Sequence, residues 1–187
     1  PLGDDDLYSK MISMAKSVQP GADNLFFSPH LGGRICPSSP KMRGAWLGVS
    51  WSHTQAHFAR AILESIAFEY AYYLKILREY LPELQIVEAR AVGGGARSDV
   101  WNQIKADILN VPYQRLKGNE FGTWGSAMIA GKAAGLIPDL AEHAEKTAIP
   151  YGRLHTPISS NNEIYQPLVD KYIQMENMLN QFFTGKQ

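Results

Sequence analysis

A single cysteine, Cys36, leaves the chain no internal disulfide to close, so nothing in its make-up requires an oxidising compartment. Basic residues are not in surplus, since Lys plus Arg and Asp plus Glu number 18 each. That balance cannot neutralise a phosphate backbone, and no Lys/Arg cluster stands ready for an anionic membrane surface. Neither nucleic acid nor a membrane is expected as a partner. No apolar run approaches the length of a membrane span, and the opening Pro-Leu-Gly-Asp-Asp-Asp lacks the basic and apolar character of a signal peptide. A soluble, cytoplasmic protein is the expectation. Internal repeats and low-complexity stretches are also missing. What is present is ample apolar material: 45% of the 187 residues are hydrophobic. A chain of this size forms one domain, residues 1–187, burying roughly 70% of its unfolded surface.

The hydrophobic pattern alternates between short strands and helices, which argues for an α/β domain. A helix is predicted over 5–18, with acids in its first turn, and strands over 25–28 and 45–50, separated by a stretch rich in Pro, Gly and Ser. The longest helix is predicted over 54–80, with one face carrying Phe58, Ala61, Ile62, Ser65, Ile66, Tyr72, Tyr73 and Ile76. Glu69 falls on that stripe as a polar exception. A strand over 86–92 then enters a glycine turn. Ser98 stands where an N-cap would open a helix to about 110, with Trp101, Ile104 and Ile108 inward. A strand over 111–116 follows, and then a helix over 124–134, whose small residues Ala127, Ala130, Gly131 and Ala134 would permit close packing before Gly135 ends it. Residues 148–162, with Pro150, Gly152 and Pro157, read as an irregular crossing loop. The last helix, over 163–183, aligns Tyr165, Leu168, Tyr172, Met175, Leu179 and Phe182. That stripe reads as a core face, though a seam of this kind would also admit a homo-oligomer.

The chemistry-bearing feature is Val92-Gly93-Gly94-Gly95-Ala96-Arg97-Ser98-Asp99, three glycines between a strand and a helix. Glycine lets a flat base or a phosphate approach the backbone without meeting a Cβ, and the helix start offers unpaired N–H donors. The bland alternative is a tight turn that binds nothing. A dinucleotide fingerprint would need glycine where Ser98 stands, and a Walker loop would need Gly-Lys-Ser/Thr, so the turn suits a base and ribose. His53 and His57 have the four-residue spacing of a metal pair, but the intervening Thr-Gln-Ala lacks a glutamate, and no third ligand is evident. Ser98 has no base beside it to make it a nucleophile. Glu120-Phe121-Gly122-Thr123 reads as a helix lead-in.

The glycine segment, with Trp101, Gln103-Ile104 and Ala106-Asp107-Ile108, resembles the adenosine segment of the FGGY carbohydrate kinases, especially their xylulose kinase branch. Gly44-Ala-Trp46-Leu-Gly48-Val49, then His57-Phe58-Ala59-Arg60-Ala61-Ile62-Leu63-Glu64, is similar to that family's C-terminal signature. Pro29-His-Leu-Gly-Gly-Arg34, running on to Pro37 and Arg43, looks like the lead-in to the signature. The three occur in the family's order, across roughly residues 26–135. The departure falls at Gly33-Arg34, where many members carry Gly-Glu-Arg and this loop is a residue shorter.

The resemblance implies one lobe of an actin-like, ribonuclease-H-like ATPase fold, with a mixed sheet flanked by helices. Two such lobes close on ATP and a sugar. Phosphoryl transfer to a sugar hydroxyl needs an ATP holder, Mg²⁺ and a carboxylate base. In the family, an Asp-x-Gly-Thr loop, the catalytic Asp and most sugar contacts lie in an N-terminal lobe, and a second Gly-Thr-rich loop opens the C-terminal lobe. This sequence carries none of them, so the expectation is a C-terminal fragment starting after that second loop, inactive alone, with no catalytic residue or metal ligand of its own. Gly94, Gly95 and Ala96 are expected to present backbone to adenine and ribose. Asp99 matches the position that reaches the base, and an ionised carboxylate would accept from the adenine N6 amino group. ATP and Mg²⁺ are the expected cofactors, and the sugar, expected to be a pentulose such as xylulose, would be met through the missing lobe. The rival reading is an actin-like ATP-binding module without sugar chemistry, against which the stretch at Gly44 speaks.

Overall fold

The computed structural model describes residues 4–118 and 120–185, with side chains from residue 7 onward. The elements are α1 (Asp4–Lys16), β1 (Phe26–Ser28), β2 (Ala45–Leu47), α2 (Gln55–Tyr80), β3 (Ala89–Ala91), α3 (Asp99–Leu109), β4 (Tyr113–Leu116), α4 (Phe121–Ala133), α5 (Leu140–Thr147), β5 (Pro150–His155) and α6 (Ser159–Thr184). β1 and β2 form an antiparallel ribbon pairing Phe26 with Leu47 and Ser28 with Ala45. β2 stops at Leu47, short of the predicted end, because Gly48 turns the chain at φ 83°. The second sheet runs in the order β3-β4-β5, with β3 and β4 parallel and β4 and β5 antiparallel. It is therefore mixed, as the family resemblance implies.

Long α2 is the axis of the packing. Its buried face, with Ala59, Leu63, Ala67 and Phe68, meets Ala15 of α1, Phe26 of β1, Ile104 and Ile108 of α3, and Tyr165, Leu168, Tyr172 and Met175 of α6. The stripe on the last helix is thus largely a core face, although Phe182 at its end is 78% exposed. Glu69 is buried with that face because the Tyr172 hydroxyl donates to its Oε1 at 2.9 Å. A smaller cluster of Ala91, Ala96, Ala106, Leu109, Val111 and Tyr113 joins the sheet to α3. Among the described residues, no helix is long and apolar enough to cross a membrane.

Three expectations are corrected. Residues 148–162 are not an irregular loop: Pro150–His155 forms strand β5, with Pro150 at its first position and Gly152 at φ 74° where the register shifts. An edge strand tolerates both residues. The last helix starts four residues earlier than predicted, at Ser159, and the acid that caps it comes from another helix. Asp107 of α3 accepts from the Ile158 backbone N–H and from the Asn161 side chain, each at 2.8 Å. Finally, no described residue of α4 is buried. Of its small stripe, Gly131 does make a close approach, but to Ile137 in the segment that follows.

Candidate functional site

The glycine turn folds through local rules. After β3, Gly93 takes φ 83°, a conformation that favours glycine. Gly94–Arg97 then makes one tight 3₁₀ turn, closed by the Ala96 N–H donating to the Gly93 carbonyl at 3.2 Å. Ser98 caps α3, its hydroxyl accepting from the Trp101 N–H at 3.2 Å. The predicted cap is observed, and that hydroxyl is committed to the helix.

The predicted site residues divide by exposure. A Cβ built on Gly94 would meet nothing within 4 Å, so its backbone lies open. Gly95 is partly covered, because the space beside it holds the Trp101 ring. Ala96 is 3% exposed and turned into the cluster beneath the sheet. Its carbonyl accepts from the Asn102 side chain at 2.8 Å. Ala96 therefore anchors the turn, and the open surface lies at Gly93 and Gly94. The Asp99 side chain is 82% exposed at the start of α3. The helix dipole and free N–H groups of that first turn act beside it.

Trp101 faces inward, as its position on the stripe predicts, but onto the core around α2 and not onto the β3-β4-β5 sheet. It is half-buried, packed against the α2-centred core, with its Nε1 donating to the Leu63 carbonyl at 2.9 Å. The Lys105 ammonium stands over the indole, 4.1 Å from its centroid. Burial lowers the Lys105 pKa to about 8.

His155 is a neighbour that sequence reasoning missed, because it lies in the segment read as loop. It is 2% exposed, its Nε2 stands 3.5 Å from Asp99 Oδ1, and neither ring nitrogen has a hydrogen-bond partner among the described residues. Asp99, His155, Arg153 and Gln103 line a cleft of about 560 Å³ beside the turn. Of the β5 residues His155 alone is buried, so no hydrophobic alternation in the sequence marks it. This cleft offers a carboxylate acceptor, an imidazole and a cation to a polar ligand.

The polar residues of the stretch 57–64 have architectural roles. Arg60 donates to Glu64 at 2.6 Å and to the Tyr165 hydroxyl at 2.5 Å, and Tyr165 donates to Glu64 at 2.6 Å. Glu64 also accepts from the Gly21 N–H at 3.0 Å, so one buried carboxylate ties α2 to α6 and to the turn after α1. His57 completes a capping box with Thr54 at the start of α2. His53 lies 5.3 Å from it, ring to ring, and its Nδ1 accepts from the Ser50 N–H.

The FGGY family of carbohydrate kinases, C-terminal domain, matches residues 3–134. The chain belongs to that family. Among its relatives, the xylulose kinase of Staphylococcus epidermidis is 31% identical over 170 residues, 90% of this chain and 34% of the relative. The gluconokinase of Bacillus subtilis is 29% identical over 180 residues, 96% of this chain and 34% of the relative. This chain thus spans about a third of the length of the curated relatives it matches. A ligand-bound xylulose kinase from Lactobacillus acidophilus superposes with a TM-score of 0.82 at 28% identity, covering 96% of this chain and 36% of that one. The fold is accordingly one lobe of the actin-like ATPase architecture, a mixed sheet flanked by helices.

Proposed function

We propose that this chain is the adenosine-binding side of an ATP-dependent sugar kinase, acting on a pentulose such as xylulose in the cytoplasm. The observation that carries the reading is the open backbone at Gly94 next to the exposed Asp99 carboxylate at a helix start. Gly94 and Gly95 offer main chain to adenine and ribose, Ala96 holds the turn in place, and Asp99 accepts from the adenine N6 amino group. ATP supplies the phosphoryl group, and Mg²⁺ is carried on its phosphates and by a second lobe. The base that takes the sugar proton also belongs to that lobe. The helix α4 favours such a partner lobe: Trp124 is 45% and Ile129 66% exposed in a segment with few charges, the composition of a helix covered on several sides.

The role of Asp99 is tested by measuring ATP and GTP affinity in the two-lobed enzyme. Asp99→Ala weakens ATP by about tenfold, the loss of one charged hydrogen bond, and affects GTP less, because guanine has no amino group at that ring position. Unfolding free energy stays within about 0.5 kcal/mol, as for an exposed side chain. Unchanged ATP affinity rejects the role. A coupled ADP assay with xylulose tests the division of labour: the 187-residue chain alone is expected to give no turnover above a mock purification.

A further inference from the structure

Away from the glycine turn, three segments bring together His30 from the loop after β1, Glu69 from the middle of α2 and Glu176 from α6. Their exposures are 9%, 4% and 0%. His30 Nε2 lies 3.2 Å from Glu69 Oε1 and 3.1 Å from Glu176 Oε2. The three candidate donor atoms all lie within 4.8 Å of one another. Of these two contacts only the one to Glu69 has hydrogen-bond geometry. Consistently, neither Glu176 oxygen nor Glu69 Oε2 receives a well-aligned hydrogen bond among the described residues. The Arg34 guanidinium stands 3.8 Å from Glu176 Oε2, beyond hydrogen-bond reach. A buried carboxylate left in this condition is costly unless something else coordinates it.

A metal ion would resolve that condition. Nitrogen and oxygen ligands at about 2.0–2.2 Å from a tetrahedral zinc stand about 3.3 Å from one another, close to the two separations found here. One imidazole and two carboxylates, with water in the fourth position, form a donor set that zinc accepts. We propose that His30, Glu69 and Glu176 bind one zinc ion, at a site that joins α2, α6 and the loop after β1. The Tyr172 hydroxyl, donating to Glu69 Oε1, supplies the outer hydrogen bond that orients that ligand.

Zinc must compete with a proton. Burial opposes charge on His30, but hydrogen bonds and attraction from Glu176 and Glu69 outweigh it and raise its pKa to about 9. The charged and titratable groups around the ring are Glu69 and Tyr73 on α2, Tyr172 and Glu176 on α6, and Arg34 on its own loop. Zinc binding therefore displaces the proton from the ring, and affinity falls as pH is lowered.

The test is titration of the metal-stripped chain with zinc against a chromophoric chelator, with thermal unfolding and X-ray absorption on the loaded protein. The expected result is one zinc per chain, a raised midpoint, and a nitrogen/oxygen shell containing a single imidazole. Glu176→Gln weakens binding by more than about tenfold, whereas His53→Ala, which disables the half-buried His53–His57 pair, leaves it unchanged. Failure of the parent chain to bind zinc overturns the proposal, as does a shell with two imidazoles or a sulfur. Should Glu176→Gln fail to fold, the parent titration and its absorption spectrum decide the question alone.

Discussion

Gly95 rests against the ring of Trp101: a Cβ placed on it would stand 2.7 Å from Cζ3 and 3.3 Å from Cε3. The indole cannot retreat freely, because its Nε1 is bonded to the Leu63 carbonyl of α2. The glycine turn is thereby braced by the helix that carries the family's signature stretch. Gly95→Val is expected to displace the ring and cost about 1 to 3 kcal/mol through overpacking. Gly94→Ala meets no neighbour and should stay within about 1 kcal/mol of the parent while weakening ATP, since the methyl group stands on the open backbone. Denaturation beside ATP titration distinguishes the two. If Gly94→Ala leaves ATP affinity unchanged, the open face of the turn is not where the nucleotide docks.

Trp101 combines a packed ring with one buried hydrogen bond. Trp101→Phe removes the Nε1 donor and keeps most of the ring, with an expected loss of about 1 to 2 kcal/mol. Trp101→Ala opens a cavity as well, and about 3 kcal/mol is expected, the low end for a tryptophan because the ring is only half-buried. Urea unfolding of both variants checks the order. An alanine variant as stable as the parent that no longer binds ATP would make Trp101 a ligand contact.

The turn was legible in the sequence because its causes are local: a glycine at positive φ, a serine cap and a helix stripe all lie within about ten residues. The segment from Pro150 onward was not, because its order comes from elsewhere. β5 is held by pairing with β4, and the Gln114 side chain donates to the Tyr151 carbonyl at 3.0 Å across a register shift. The first turn of α6, Ser-Ser-Asn-Asn, has weak intrinsic helix preference, and its capping acid is Asp107, 51 residues away. His155 was hidden for the same reason. Glu69 was visible as a polar residue on an apolar stripe, but its partners His30 and Glu176 are distant in sequence and carry no spacing that joins them.

Arg60 is the counter-ion of a carboxylate that is 1% exposed. Arg60→Ala leaves Glu64 buried with only the Tyr165 and Gly21 hydrogen bonds, and a loss of about 3 to 5 kcal/mol is expected. Replacing both residues together, as Arg60→Met with Glu64→Leu, should cost less than Arg60→Ala alone, because no charge is then stranded. Denaturation midpoints of the single and double variants test this, and a double variant less stable than the single would reject the account.

The His30 cluster also sets a pH dependence, best read in chelator so that metal takes no part. With a folded pKa of about 9 against an ordinary 6.5, His30 contributes stability that is fully present below pH 6.5 and is lost as pH rises through about 9. Glu69 has the opposite sign. Burial raises its pKa, but hydrogen bonds from His30 and Tyr73, the charge on His30 and the Tyr172 hydrogen bond bring it below the ordinary 4.5, so its contribution is present above that value and fades on acidification. Lys105 enters last: burial lowers its pKa from 10.5 to about 8, so the cost of its charge is full below pH 8 and relieved as pH rises toward 10.5. Between pH 6.5 and 8 the His30 contribution therefore stands apart from the other two. Stability of the parent is expected to fall across that interval, and His30→Gln should flatten the slope even though it lowers the overall level. Equal slopes for parent and variant would remove the imidazolium from the account of this core.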